Sequence, residues 1–406
     1  MLSNTLILLL TLAGLTAATG GYWLAVVIRI RRVRRYTTYL REGRTMALPE
    51  TLVSVVVPAH NEARVIERLV RSVREQKDVD LELIVVLDRC TDDTRRILDE
   101  AAEGDPRVRV VEIDACPEDW AGKCNAARVG AEHARGEWIL FTDADVRIEP
   151  TVLRSAVALA IDKGVDLFSA YTTLTAQRWW EKVVQPVAAV TLLRQYPTDR
   201  VNDLRKPRSF ANGQFMLFKA ETYRAIGGHE TVKDDLLEDI AFARKVHAAD
   251  GSVNVVAADG MIVTSMYASL DAMLEGWKRI FIETSRRNPA KLRQVSLRVL
   301  ASGAGSFLGP ISMIAGVWTM VEGHWLVGAA VLLPGVFTTV VHAWALLVIF
   351  HLSRMPLIGV IGWPLGCLYT AGAIARGASD LARGRPIRWG GRAYLIEPGG
   401  GLRPGA

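Results

Sequence analysis

Two aspartates, Asp143 and Asp145, stand directly after a short apolar run, Trp138 to Phe141. A strand that ends in carboxylates at i and i+2 delivers both to the carboxyl end of a sheet, the edge where open α/β sheets bind ligands. Two hard oxygen donors there suit Mg²⁺ or Mn²⁺ bridging a diphosphate, because such an ion takes few protein carboxylates and shares its shell with phosphate oxygens. A strand closed by an acidic turn is the plainer alternative, since Asp-x-Asp by itself is a common pattern. The rest of the chain favours the first reading. Glu62 and Asp88 also follow predicted strands, and Glu238-Asp239 opens a predicted helix.

The elements that would position these acids can be read from residue order. Leu52 to Val57 is a β-branched run, followed by the loop Pro58-Ala59-His60-Asn61-Glu62 and a helix over 63–76. Leu83 to Leu87 is a second strand, and the polar loop starting at Asp88 opens a helix that reaches about Ala102. Arg107 to Ile113 is a third strand, Lys123 to Ala134 a helix, and Trp138 to Phe141 the fourth strand. Strand and helix alternating at short spacing predict the α/β class, a mostly parallel sheet with helical crossovers. Parallel strands share one carboxyl edge, so Glu62, Asp88, Asp143 and Asp145 gather there. Carboxylates at such an edge suit ribose hydroxyls, base edges and a metal ion. No Walker P-loop is present, and no Gly-x-Gly-x-x-Gly follows the first strand, which disfavours a dinucleotide cofactor.

Beyond Asp145 the pattern loosens. A helix is expected over 150–162, a strand over 165–170, and a strand over 209–218 around Asn212-Gly213-Gln214. Gly227-Gly228 marks a tight turn, and a helix is expected from Asp234 through His247. Acids at a helix start are favoured by its dipole, so Asp239 is either a capping charge or a general base. Strands follow at Val253 to Val256 and Met261 to Ser265, then an amphipathic helix from Asp271 to Thr284 that contains Trp277. The stretch from Gln177 to Gln195, with Trp179 and Trp180, fits core packing and the bilayer interface equally.

Of the 406 residues, 50% are hydrophobic, and they are unevenly spread. Leu2 to Ile28, Val299 to Val321 and Met355 to Ala375 carry no charged side chain, and Trp325 to Phe350 has only His342. Each is long enough to cross a hydrocarbon core of about 30 Å as a helix. The predicted organisation is an anchor over 1–30, a catalytic domain over 50–270, an amphipathic interface region over 271–298, membrane helices over 299–375 and a basic tail over 376–406. The first apolar run is too long for a cleaved signal peptide, and its basic cluster, Arg29 to Arg35, follows it. The positive-inside rule then puts the globular region in the cytoplasm, in a multi-pass protein of the cell's inner membrane. Three full crossings after that region would leave the tail outside, although Arg376, Arg383 and Arg385 argue for the inside. One segment is therefore expected to be re-entrant or interfacial, with Met355 to Ala375 the candidate because glycines and Pro364 break it. The net charge of +6 follows from these flanks, which points to anionic lipid and away from nucleic acid. The four cysteines have no metal-ligand spacing and read as free thiols.

Taken together, Pro-Ala-His-Asn-Glu after the first strand, Asp88 after the second, Gly122-Lys123, Asp143-Ala-Asp145 and Glu238-Asp239 resemble the family-two glycosyltransferases of the GT-A fold, over about Val53 to Trp277. The closer likeness, carried by Asn212-Gly213-Gln214, Gly227-Gly228-His229-Glu230, Met266-Tyr267, Glu275-Gly276-Trp277 and Trp389 to Tyr394, is to membrane enzymes of the carotenoid and chlorobactene glucosyltransferase kind. The resemblance implies a Rossmann-like GT-A domain with one N-terminal and about three C-terminal membrane helices. It implies inverting transfer of a sugar, glucose first, from a UDP-sugar to a membrane lipid. In that case Pro58, Glu62, Asp88, Lys123, Asp143, Asn212, Gly213 and Glu238 bind the nucleotide sugar. Asp143 and Asp145 hold Mg²⁺ or Mn²⁺, Asp239 is the catalytic base, and Trp277, Arg279 and Arg392 lie on the acceptor and diphosphate side. Cys90 stands where the family often has serine. The Gln-x-x-Arg-Trp motif of processive polysaccharide synthases is absent, with Gly276-Trp277-Lys278-Arg279 near its place. A processive synthase and a non-catalytic membrane scaffold remain the alternatives. The sequence leaves the oligomeric state open.

Overall fold

The structure is a computed structural model that describes residues 4–203, 205, 207–233, 235, 237–389, 392–396 and 402–404, and of 387–406 the backbone alone. It divides into two compact units, one made of residues 37–175, 196–287 and 380–406, the other of 1–36, 176–195 and 288–379.

The first unit is built on strands β1 (Leu52–Ala59), β2 (Asp80–Asp88), β3 (Val108–Ile113), β4 (Trp138–Phe141), β5 (Val146–Ile148), β6 (Leu167–Tyr171), β7 (Thr173–Leu174), β8 (Met216–Lys219), β9 (Val253–Ala257) and β10 (Ile262–Thr264). Seven of them form one sheet in the order β3-β2-β1-β4-β8-β6-β9. β1 runs parallel to β2 and β4, β2 to β3, and β6 to β9. Only β8 is reversed, antiparallel to both β4 and β6. This is the mostly parallel, Rossmann-like sheet expected of a GT-A domain.

The β-branched run of β1 is buried on both faces because helices cover both, as parallel sheets require. Val53, Val55 and Val57 join a cluster with Ile66, Leu69, Val70 and Val73 of helix Ile66–Arg74. Val56, on the opposite face, lies with Val86 against Gly130 of helix Gly122–Glu132. The alternation of period 2 thus divides one strand between two cores.

Strand polarity decides what reaches the ligand edge. β1, β2, β4 and β6 all end there, and reversed β8 begins there. The expected strand over 209–218 is shorter than foreseen, only Met216–Lys219, which leaves Asn212-Gly213-Gln214 as a loop at that edge. A three-stranded sheet, β5-β10-β7, continues from the Asp-x-Asp turn, and Ser265 N–H donates to the Asp145 carbonyl at 3.2 Å. The helix expected from Asp234 begins at Glu238, and Asp234 and Leu236 lie outside the described residues.

Among the described residues of the second unit, three helical stretches are long and apolar enough to cross a membrane: Asn4–Arg35, Pro289–Val321 and Trp325–Leu352. The expected fourth segment, Met355 to Ala375, is instead a 3-10 turn at Leu357–Val360 followed by helix Trp363–Ala382, whose later turns carry Arg376 and Asp380. Gly359, Gly362 and Gly366 press against Lys182, Val183 and Val187 of helix Trp179–Leu193. On that helix Trp180 is buried, while Trp179 is half-exposed and edge-on to Tyr369.

Helices Leu308–Val321 and Trp325–Leu352 approach at a small-residue seam, as lipid-embedded helices do when packing replaces the hydrophobic drive. A Cβ on Gly316 would fall 2.6 Å from Leu332 N and 2.8 Å from Gly328 O, both backbone atoms that cannot yield locally. Gly14 has nothing within 4 Å. Gly316→Leu is therefore expected to lower the thermal unfolding temperature of the detergent-solubilised chain, by an overpacking cost of about 1–3 kcal/mol. Gly14→Leu should leave it within about 0.5 kcal/mol of the parent. Equal melting of the two variants would contradict this packing.

Candidate active site

Lys123 is the centre of the site. It is the second residue of helix Gly122–Glu132, and its Nζ lies 2.7 Å from Asp143 Oδ1 and 2.7 Å from Glu238 Oε1. One ammonium thus joins the turn after β4 to the start of helix Glu238–Ala248. Burial alone would depress its pKa, but the two carboxylates outweigh that and hold it well above the usual lysine range. Burial likewise opposes ionisation of Glu238, and Lys123 overcomes it, leaving that carboxyl below its ordinary value.

Asp239 is fixed from two sides. Its Oδ2 accepts from Gly213 N–H at 2.8 Å, and its Oδ1 accepts from Ile240 N–H at 2.7 Å. Gly213 lies beside all three side chains: a Cβ there would be in ordinary contact with Asp239 Oδ2 and Lys123 Nζ at 3.4 Å and Glu238 Oε1 at 3.5 Å. The loop is itself tied down: Asn212 donates from Nδ2 to the Ala170 carbonyl at 2.9 Å, and Thr142 Oγ1 donates to the Gln214 carbonyl at 2.7 Å. Asn212 thereby spends its side chain on the scaffold. Burial, then the neighbouring Glu238 charge, pushes the Asp239 carboxyl up to about 7.

The other acids crowd the same edge. Burial, then Asp143, then Glu62 pushes Asp145 up to about 8, and its buried Oδ1 has no hydrogen-bond partner. Burial, then Asp143, pushes Glu62 up to about 7. Glu62 is held by its backbone, whose N–H donates to Thr94 Oγ1 at 2.8 Å. Pro58 lies within β1 opposite Val86. Asp88 ends β2 and faces Gly122, where a Cβ would fall 3.0 Å from Asp88 Oδ2. Asp143 and Glu238 thus meet at Lys123, Asp145 and Glu62 lie near Asp143, and Asp88 lies beside Gly122 at the start of the same helix.

Arg279 is buried nearby. Burial lowers its pKa against the raising influence of Tyr267, Glu238, Asp143 and Asp239. Tyr267, which the sequence reading did not place in the site, lies over Gly276 so closely that no Cβ would fit. Burial and the Asp145 and Asp143 charges push its phenol up to about 12. An aromatic nine positions ahead of Gly276 was the available signal. Trp277 is not on an open face: it is 4% exposed, stacks on Phe281 at 5.7 Å, and its indole N–H has no partner among the described residues. Arg392 lies in strand Arg392–Ile396, and its side chain lies outside the described residues.

No group of three His, Cys, Asp or Glu side chains forms a closed metal cage among the described residues. The donors nevertheless fit an ion that completes its shell with phosphate oxygens. Asp145 Oδ1 is orphaned and buried, and Asp143 and Glu62 stand close enough to oppose its ionisation. Added positive charge would relieve all three.

The raised carboxyls carry a consequence for stability. Glu62, Asp145 and Asp239 keep their protons up to about 7, 8 and 7 in the folded chain, while unfolded carboxyls release them near 4. The folded state then binds more protons across that window, so this contribution is present at low pH and lost as pH rises from about 4 through 8. A divalent cation should offset the loss. Mn²⁺ or Mg²⁺ is expected to raise the melting temperature more at pH 8 than at pH 5, and Asp145→Asn should abolish the difference. A cation effect equal at both pH values would contradict this site.

Residues 54–227 match the profile described as glycosyl transferase family 2. A relative from Staphylococcus haemolyticus (strain JCSC1435), named 4,4'-diaponeurosporenoate glycosyltransferase, is 25% identical over 257 residues. That match covers 61% of this chain and 65% of the relative, slightly under two thirds of its length. A relative of the same name from Staphylococcus aureus (strain USA300) is 24% identical over 273 residues, covering 66% of this chain and 71% of its own. Among solved structures, a mannosyltransferase from Pyrobaculum calidifontis in complex with GDP-Man and Mn²⁺ has a TM-score of 0.49 at 21% identity, covering 92% of this chain and 99% of its own.

Proposed function

We propose that the chain is a glycosyltransferase of family 2, the profile that residues 54–227 match, and that it moves a sugar, glucose first, from a UDP-sugar to a lipid acceptor of the membrane, a carotenoid or another isoprenoid. The observation that carries this reading is the acid cluster around Lys123 in a chain that also has three helices suited to a bilayer. The relatives' names specify a carotenoid acid as acceptor, which supports an apolar acceptor ending in an oxygen nucleophile.

In this reading the nucleotide lies along the edge made by the loops after β1, β2 and β4. Asp143 and Asp145 would hold Mg²⁺ or Mn²⁺, which when bound supplies positive charge to the diphosphate leaving group. Lys123 and Arg279 add fixed positive charge on the same side. Asp239, aimed by Gly213 and Ile240, takes the proton of an acceptor hydroxyl as its oxygen attacks the anomeric carbon. The bond to the sugar forms as the bond to the diphosphate breaks, and one displacement inverts the anomeric centre. A carboxylate acceptor arrives without that proton and leaves Asp239 a positioning role.

Three crossings are consistent with the charge pattern of the sequence. With Arg29 to Arg35 inside after the first span, the second and third spans would return the chain to the same side. Arg376, Arg383 and Arg385 would then lie inside too, which supports a cytoplasmic catalytic unit in a multi-pass membrane protein. The pair of spans after the catalytic unit offers little from which to build a polymer channel, which favours single transfer over a processive synthase.

Membranes containing the chain, given labelled UDP-sugars and total lipid extract, should yield one labelled lipid bearing one sugar. Product identification by mass spectrometry checks this, and a polymer or no product would refute it. With a hydroxyl acceptor, kcat should rise with pH through about 7 as Asp239 ionises. Asp239→Asn should lower that kcat by about 10²–10⁴-fold while UDP still binds. With a carboxylate acceptor the rise should be absent. Normal hydroxyl transfer by Asp239→Asn would remove the base assignment.

A further inference from the structure

Asp88 does not present an open carboxylate. Both of its oxygens accept from the next residue, Arg89, whose Nε lies 2.7 Å from Oδ1 and whose Nη2 lies 2.7 Å from Oδ2. Side chains of adjacent residues ordinarily point apart. This fork closes because Arg89 sits at φ +50°, in the left-handed region that non-glycine residues seldom adopt. Arg89 N–H donates to the Ile113 carbonyl at 2.9 Å, which fixes that backbone to β3. Gly122 leaves room for the pair, since a Cβ there would stand 2.9 Å from Arg89 Nη2. Inside the pair, the Asp88 side chain is 4% exposed and that of Arg89 is 27% exposed.

The rim around Arg89 is rigid. Asn61, also at positive φ, accepts at Oδ1 from Thr91 N–H at 2.8 Å, and Cys90 Sγ donates to the Ala59 carbonyl at 3.4 Å. His60 Nδ1 lies 2.6 Å from the Asp88 carbonyl oxygen. The loops after β1 and β2 are thus stitched together, with one planar cation held at their shared edge.

The geometry points to Arg89, and not Asp88, as the residue that meets the donor's nucleobase. Asp88 is then a positioning residue that acts through Arg89, locking the guanidinium plane so that its flat face can stack on a pyrimidine ring. A guanidinium held bidentately is well suited to such a contact, because its plane is already oriented and a lysine in its place has no plane. This inference rests on the UDP-sugar reading above.

The test is a double-mutant cycle on the full chain in detergent, with UDP and Mn²⁺ as the probe and isothermal titration as the readout. Arg89→Ala should weaken UDP by about tenfold, the lower range of a base stack. Asp88→Asn should weaken it by a similar factor, and Asp88→Asn added to Arg89→Ala should cost nothing further. Arg89→Lys, which retains the charge and guards against a folding defect in the alanine variant, should lose as much as Arg89→Ala. The donor KM should rise in step while kcat at saturating donor stays within about twofold. Parent-like UDP affinity in Arg89→Ala, rescue by Arg89→Lys, or a further loss from Asp88→Asn in the Arg89→Ala background would each overturn the inference while leaving the donor class intact. A parent chain that binds no UDP would overturn the donor reading and this inference with it.

Discussion

The site depends on the attraction between one ammonium and two carboxylates, Lys123 with Asp143 and Glu238. Without it, the turn after β4 and the start of helix Glu238–Ala248 would set like charges against each other. The pair of contacts ties together segments more than a hundred residues apart along the chain and leaves Asp239 recessed behind them. At Gly213 an added Cβ would only touch Lys123, Glu238 and Asp239, whereas at Gly122 it would press on the ends of the Asp88 and Arg89 side chains. Lys123 neutralises only part of the negative charge. Asp145 and Glu62 resist ionisation because they are buried and because Asp143 lies beside them.

Much of the parallel half of the fold was legible. The β-branched runs of β1 and β2 and the apolar run of β4 are short, continuous and bounded by polar loops, so period and length agree with burial on both faces. The reversal of β8 was not legible, because a four-residue apolar strand carries no mark of its direction and its pairing is fixed by distant partners, β4 and β6. That reversal places Asn212-Gly213-Gln214 at the ligand edge. The fourth apolar segment looked like a span when charge alone was counted. Its glycines instead allow close contact with helix Trp179–Leu193, and the helix that follows shifts onward to include Arg376 and Asp380. Trp179 and Trp180 fitted two environments in sequence because adjacent helical residues point in different directions, and the structure buries only Trp180.

The candidate site divides in the same way. The acids could be named from the strand ends, since parallel strands converge by construction. Their partners could not. Lys123 was expected to bind the nucleotide sugar, and its contacts with two acids could not be foreseen. The Asp88–Arg89 fork requires a left-handed residue that nothing in the local sequence announces. Trp277 was expected to face the acceptor, whereas the stacking periodicity of its helix turns it onto Phe281. Identity at a strand end is a property of the sequence, but charge pairing is a property of the assembled edge.

The acidic edge is proposed to bind a nucleoside diphosphate together with a divalent ion. Equilibrium titration of the full chain with UDP, with and without Mn²⁺, is the decisive experiment. Tight binding is expected only when Mn²⁺ is present, with loss of that dependence in Asp145→Asn. UDP binding of equal strength without the ion, or unchanged in the variant, would contradict it.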